Sequence, residues 1–153
     1  MLLLFRFGWG KPVQFDPFNL ANPKRDAAII SFAGPMSNIA LASLLSIILR
    51  FGVSPFSPFA FLVNIIPPFI VMNTILAIFN LIPVHPLDGG KILVGLLPPK
   101  ESREFDLFMQ RYGMFVLLLL IFPVFGGVSL VGNIISPIVN FLLNIYLPNS
   151  LLI

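Results

Sequence analysis

The sequence predicts an all-α membrane protein: a polytopic helical bundle of about four transmembrane segments. Three observations carry that prediction. Of the 153 residues, 58% are apolar and only 10% charged, whereas soluble domains run near 45–50% and about 25%. Mean hydropathy is +1.00 over the whole length, which is the signature of a chain that lives in lipid. The charges cluster at the ends of long uncharged runs, where membrane topology needs them. The same apolar excess excludes intrinsic disorder.

Residues 6–26 form the most polar stretch, and Pro12, Pro17 and Pro23 punctuate it. Each proline lacks an N–H and restricts the residue before it, so no continuous helix fits. Residues 1–26 are therefore expected to be an interfacial loop, with Trp9 at headgroup level. Met1–Phe5 is too short for a signal-peptide core and Arg6 interrupts it, so this end is not read as a signal peptide. Asn22-Pro23 has the form of a helix start, with Asn as N-cap and Pro in the first helical position.

Residues 27–49 carry no charge and would give about 35 Å of helix, enough to cross the bilayer core. Ala33, Ser37 and Ala40 recur on one face, the kind of small-residue face that packs closely against another helix in lipid. Gly34-Pro35 predicts a kink. Arg50 and the Pro55/Pro58 loop turn the chain, and residues 59–82 form a second uncharged span that Pro67-Pro68 should break or bend. Residues 83–111 are polar again and are expected to hold a motif and a short helix. From Tyr112 to Ile153 no charge occurs. Division at Gly126-Gly127 gives spans at 112–125 and 129–147.

Loops 1–26 and 83–112 hold four Lys or Arg each, and the opposite loop holds only Arg50. The positive-inside rule then makes the charged side cytoplasmic in a multi-pass protein of the cell membrane. The cations form no basic stripe, so no nucleic-acid partner is expected despite a net charge of +3. Cys is absent, which excludes disulfides and thiolate metal sites.

One segment carries chemistry: Asn80-Leu81-Ile82-Pro83-Val84-His85-Pro86-Leu87-Asp88-Gly89-Gly90. It comes directly after an apolar span, so its first residues should lie at membrane depth. Pro83 and Pro86 end the helix and free backbone carbonyls, and Gly89-Gly90 lets another backbone approach closely. Asp88 puts a carboxylate near hydrocarbon, at a cost of about 2.5–3.5 kcal/mol on insertion scales, which marks it as a functional candidate. Broken helix at that depth is tolerated where it lines a cavity or is covered by protein. Spacing alone equally allows Asp88 to N-cap a short helix over Gly89–Leu97 at the membrane surface.

The pattern Asn80-x-x-Pro83-x-x-Pro86-x-Asp88-Gly89 resembles the signature of the site-2 protease family, the intramembrane zinc metallopeptidases of peptidase family M50. The segments Gly8–Val13, Asn22–Asp26 and Ala33–Asn38 are similar to the family's link into its third core helix. Leu97–Lys100 and Arg111–Gly113 are similar to the segments C-terminal to the motif in its compact bacterial and archaeal branch. The resemblance implies peptide-bond hydrolysis within the membrane, a membrane-protein substrate segment as partner and zinc as cofactor. It further implies Asp88 as third zinc ligand and Asn80 as the residue that holds substrate or the oxyanion. Pro83, Pro86, Gly89 and Gly90 would shape the motif backbone.

The family takes its other two ligands and its base from His-Glu-x-x-His, in which two His share a helix face and the Glu deprotonates metal-bound water. That pattern is absent here. The one histidine is His85, and neither Glu101 nor Glu104 has a His partner. His85 is read as a loop residue at the interface. The family's first two core helices would precede Met1, so the chain is expected to correspond to the C-terminal two-thirds of such an enzyme. It is expected to retain little zinc and to be inactive alone. The alternative is a non-catalytic membrane-binding or regulatory module that keeps the substrate cleft and pairs with a partner through Ala33, Ser37 and Ala40. Ser31, Ser37, Ser43 and Ser46 lack a His or Asp beside them and are read as packing hydroxyls. A transporter would carry an inverted repeat, and none is visible.

Overall fold

The computed structural model describes residues 22–52, 58, 60–123 and 129–148. The expected interfacial loop up to residue 21, Pro55 and the division at Gly126-Gly127 lie outside them. Five α-helices and no strand occur among the described residues. They are α1 (Pro23–Gly52), α2 (Leu62–Asn80), α3 (Asp88–Leu96), α4 (Pro99–Ile121) and α5 (Leu130–Tyr146).

Helix α1 starts where local chemistry dictates. Pro23 occupies the first position, where its missing N–H costs nothing. The Asn22 N–H donates to the Asp26 carboxylate at 3.0 Å, and the Asp26 N–H donates to the Asn22 carbonyl at 2.9 Å. Asp26 in the first turn and Arg50 in the last complement the helix dipole. The helix begins at Pro23, as the Asn22-Pro23 pair indicates, so the loop boundary drawn at residue 26 falls inside its first turn; it runs on through Pro35.

Helix α2 is unbroken through Pro67 and Pro68, so of the break or bend expected there the break does not occur. Both prolines lie in its second turn. They remove the donors for two early carbonyls only, those of Val63 and Asn64, and their fixed φ is already helical. The uncharged α2 buries Ile66, Ile70, Thr74 and Ala77.

Two apolar clusters join the helices. Ala42 and Leu49 of α1 meet Ile66 and Ile70 of α2, with Tyr146 and Leu147 closing the group. Val131, Ile135 and Val139 of α5 form the other, against Ile78, Phe79, Ile82 and Leu120. The late part of α1 thus meets the early part of α2, and the start of α5 meets the end of α2. Helix α2 therefore runs antiparallel to both α1 and α5. Polar links tie α5 to α1: Ser46 donates to the Tyr146 carbonyl at 2.5 Å, and Arg50 donates to the Ile145 carbonyl at 2.8 Å.

Helix α4 differs from its expected form. It is one continuous helix from Pro99, not a short polar segment followed by a span at 112–125. Its start is held to α1 by the Lys24 ammonium, which donates to Ser102 Oγ at 3.2 Å. At Gly113 it abuts His85, and at Leu120 it reaches the cluster shared with Phe79 and Ile82. The uncharged part from Tyr112 to Ile121 is only about 15 Å long, half of a bilayer core.

Among the described helices, two are long and apolar enough to cross a membrane, residues Pro23–Phe51 and Leu62–Asn80, where four spans were expected. Only 22% of each apolar window is buried inside the protein, whereas a core helix of a soluble protein would be mostly buried. Ile29, Ile47, Phe69 and Met72 are among the large side chains left outside. Helix α5 is apolar but shorter, at 17 residues.

Candidate metal and substrate site

The motif forms the corner between α2 and α3. Asn80 is the last residue of α2 and Asp88 the first of α3, and both are half-buried. The turn between them is tied by its own backbone. The Val84 N–H donates to the Ile82 carbonyl at 2.8 Å, that of Leu87 to Val84 at 2.9 Å, and that of Gly90 to Leu87 at 3.2 Å. The His85-Pro86 peptide bond is cis, which makes residues 84–87 a turn with cis-Pro in its third position. Pro83 and Pro86 are exposed, and Val84 is buried.

Gly89 and Gly90 are buried against this turn. A Cβ at Gly89 would overlap the carbonyl oxygens of Leu81 and Ile82, and one at Gly90 would lie 3.1 Å from the His85 nitrogen. The missing side chains let α3 fold back onto its own corner. From the other side, Gly113 of α4 admits His85; a Cβ there would lie 2.6 Å from the His85 carbonyl oxygen. His85 thus touches α4 through its backbone and Cβ.

Asp88 is the first residue of the helix, and Leu87 takes the N-cap position without a side-chain cap. Its carboxylate is therefore free of the capping role that spacing alone had allowed. A Cβ on Gly34 of α1 would lie 3.2 Å from Asp88 Oδ2, so the carboxylate lies against the bare backbone of α1. Beside Gly34, the Ala33, Ser37 and Ala40 face is exposed. What α1 buries instead is Ser31, Pro35, Ala42, Ser46 and Leu49.

Sequence reasoning missed Gly34, Gly113 and Ser102 as parts of this corner. Glycine inside a helical pattern is the signal that could have flagged the first two. Ser102 is fully buried and donates to the Val94 carbonyl at 2.8 Å while accepting from Lys24. It fastens α3, α4 and α1 together, and no sequence spacing announces it.

Peptidase family M50, as a sequence profile, matches residues 54–122, which contain the whole corner. A Bacillus subtilis (strain 168) protein named "Putative zinc metalloprotease YwhC" is 30% identical over 132 residues, covering 83% of this chain and 60% of that protein. Over this stretch the chain is similar to peptidase family M50. It spans less than two thirds of the length of the relative it matches. No solved structure matches.

The similarity to M50 makes zinc the metal to test against this corner. A catalytic zinc takes three protein ligands. Among the described residues no three His, Asp or Glu side chains come together, and His85 is the one histidine in the sequence. Asp88 is a chemically suitable ligand, but the described donor set does not complete an M50 metal centre, and no catalytic step is derived through one.

Proposed function

We propose that this chain carries the aspartate-bearing, substrate-facing part of a site-2-protease-like zinc metalloprotease, and that it is inactive by itself. Asp88 contributes one zinc ligand and Asn80 orients the substrate. The His-Glu-x-x-His ligands and base are not among these residues and must be supplied to it. The observation that supports this most is Asp88 at the start of α3 against Gly34, with an open small-residue face alongside. A helix seated on Ala33, Ser37 and Ala40 could bring its own ligands to the same carboxylate.

In this reading the substrate is a segment of a membrane protein, and the corner faces the cytoplasm in a multi-pass arrangement. The loop cations support that orientation, since Lys24 and the start of α4 share one end of the bundle and Arg50 marks the other.

Zinc content of the purified, detergent-solubilised chain tests the proposal. The expected result is well below one zinc per monomer; one tightly held zinc per monomer overturns the inactivity. Fusion to a helix carrying His-Glu-x-x-His should raise the content towards one, and Asp88→Ala should lower it again. Unchanged zinc in the Asp88→Ala fusion would reject Asp88 as a ligand.

The exposed Ala33, Ser37 and Ala40 face also favours a second reading, a non-catalytic module that binds a partner through it. Co-purification with a His-Glu-x-x-His protein that stays at full zinc content after Asp88→Ala would select that reading.

A further inference from the structure

Helix α5 has three faces. Val131, Ile135, Val139 and Tyr146 are buried. Leu130, Ile134, Ile138, Phe141 and Ile145 are exposed and apolar. Asn133, Ser136, Asn140 and Asn144 are exposed and polar, and their spacings of three, four and four residues keep them within about 80° of the helix circumference. The Ser136 hydroxyl is satisfied by the Gly132 carbonyl at 2.5 Å. The amides of Asn133, Asn140 and Asn144 make no hydrogen bond among the described residues.

In lipid, an apolar face is at home against hydrocarbon and three open amides are not. Segregation of the two stripes therefore separates a lipid-facing surface from one that needs a polar partner. The chemistry of the stripe indicates which partner. No Lys, Arg, Asp or Glu occurs beyond Arg111, so α5 has no charge with which to select an oppositely charged helix. An asparagine amide carries both donors and an acceptor, so an identical stripe satisfies it. Copies of one chain share one topology and pair in parallel. Each Asn then meets its own counterpart, as a single buried Asn does when it fixes register in a parallel coiled coil.

We propose that the Asn133, Asn140 and Asn144 stripe of α5 is the interface of a parallel homodimer. The proposal rests on α5 lying in the bilayer and is independent of the protease chemistry. A groove of about 410 Å³ between α5 and α2, with Ser136 and Asn140 on one lip and Phe79 on the other, borders the stripe and gives the partner's side chains room.

The chain contains no cysteine, so single-cysteine variants of the full chain in liposomes test this directly. Under mild oxidation Asn140→Cys should form a cross-linked dimer, and Ile134→Cys, on the apolar stripe, should form about tenfold less. Asn133→Leu with Asn144→Leu should lower energy transfer between labelled chains about tenfold at fixed lipid dilution, with helicity by circular dichroism unchanged. Equal cross-linking at positions 134 and 140, or monomers at every lipid dilution, would overturn the proposal. Zinc content is read separately, so its outcome leaves the dimer test intact.

Discussion

Glycines at two positions differ in what a methyl group would meet. At Gly89 it meets the backbone carbonyls of Leu81 and Ile82, which cannot rotate away; at Gly34 it meets one carboxylate oxygen of Asp88, which can. Gly89→Ala should therefore destabilise the protein by about 1–3 kcal/mol, as overpacking does. Gly34→Ala should stay within about 0.5 kcal/mol, since the gain in helix propensity offsets a small side-chain shift. Thermal unfolding in detergent, followed by circular dichroism, measures both. The double glycine after Asp88 was legible as a demand for close backbone approach, because glycine states that demand locally. That Gly34 is the neighbour of Asp88 was not legible, since the two lie on different helices and meet only through packing.

At the scale of helices, the start of α1 was readable because proline in the first helical position is a signal carried by adjacent residues. The start of α4 was not. Charge counting assigned residues 83–111 to a loop with a short helix. Yet Lys100, Glu101, Arg103 and Glu104 are good helix formers behind Pro99 in the first position, and the helix runs through them without a boundary at residue 112. The link holding this helix in place is Ser102. Its hydroxyl is fully buried and connects the Val94 carbonyl to the Lys24 ammonium. Ser102→Ala should cost about 0.5–1.5 kcal/mol, because it removes two part-buried hydrogen bonds. The same unfolding assay reads the loss, and a change below about 0.5 kcal/mol would show the link to be dispensable.

Across the whole molecule, the two ends are chemically unlike. One gathers Lys24, the α2–α3 corner and the start of α4; the other carries Arg50 bound to Ile145. In membrane vesicles, Arg25→Cys and Lys100→Cys should be labelled by an impermeant thiol reagent from the cytoplasmic side, and Arg50→Cys from the other. Labelling of all three from one side would reject a crossing by α1. Composition made membrane residence legible, because it sums over the chain and needs no geometry. Helix boundaries were not legible that way: among the described residues the uncharged stretch after Arg111 holds the second half of α4 and the 17-residue α5, and hydropathy does not mark where α4 begins.

The corner at residues 81–90 is held main chain to main chain, and Gly113 of α4 meets the backbone and Cβ of His85. That arrangement divides mutational freedom unevenly among neighbours. Positions 89 and 113 admit little beyond hydrogen, whereas the bonds of the turn ask nothing of the side chain at position 85. The lone histidine beside Asp88 thus meets its neighbouring helix through atoms that every residue but glycine carries.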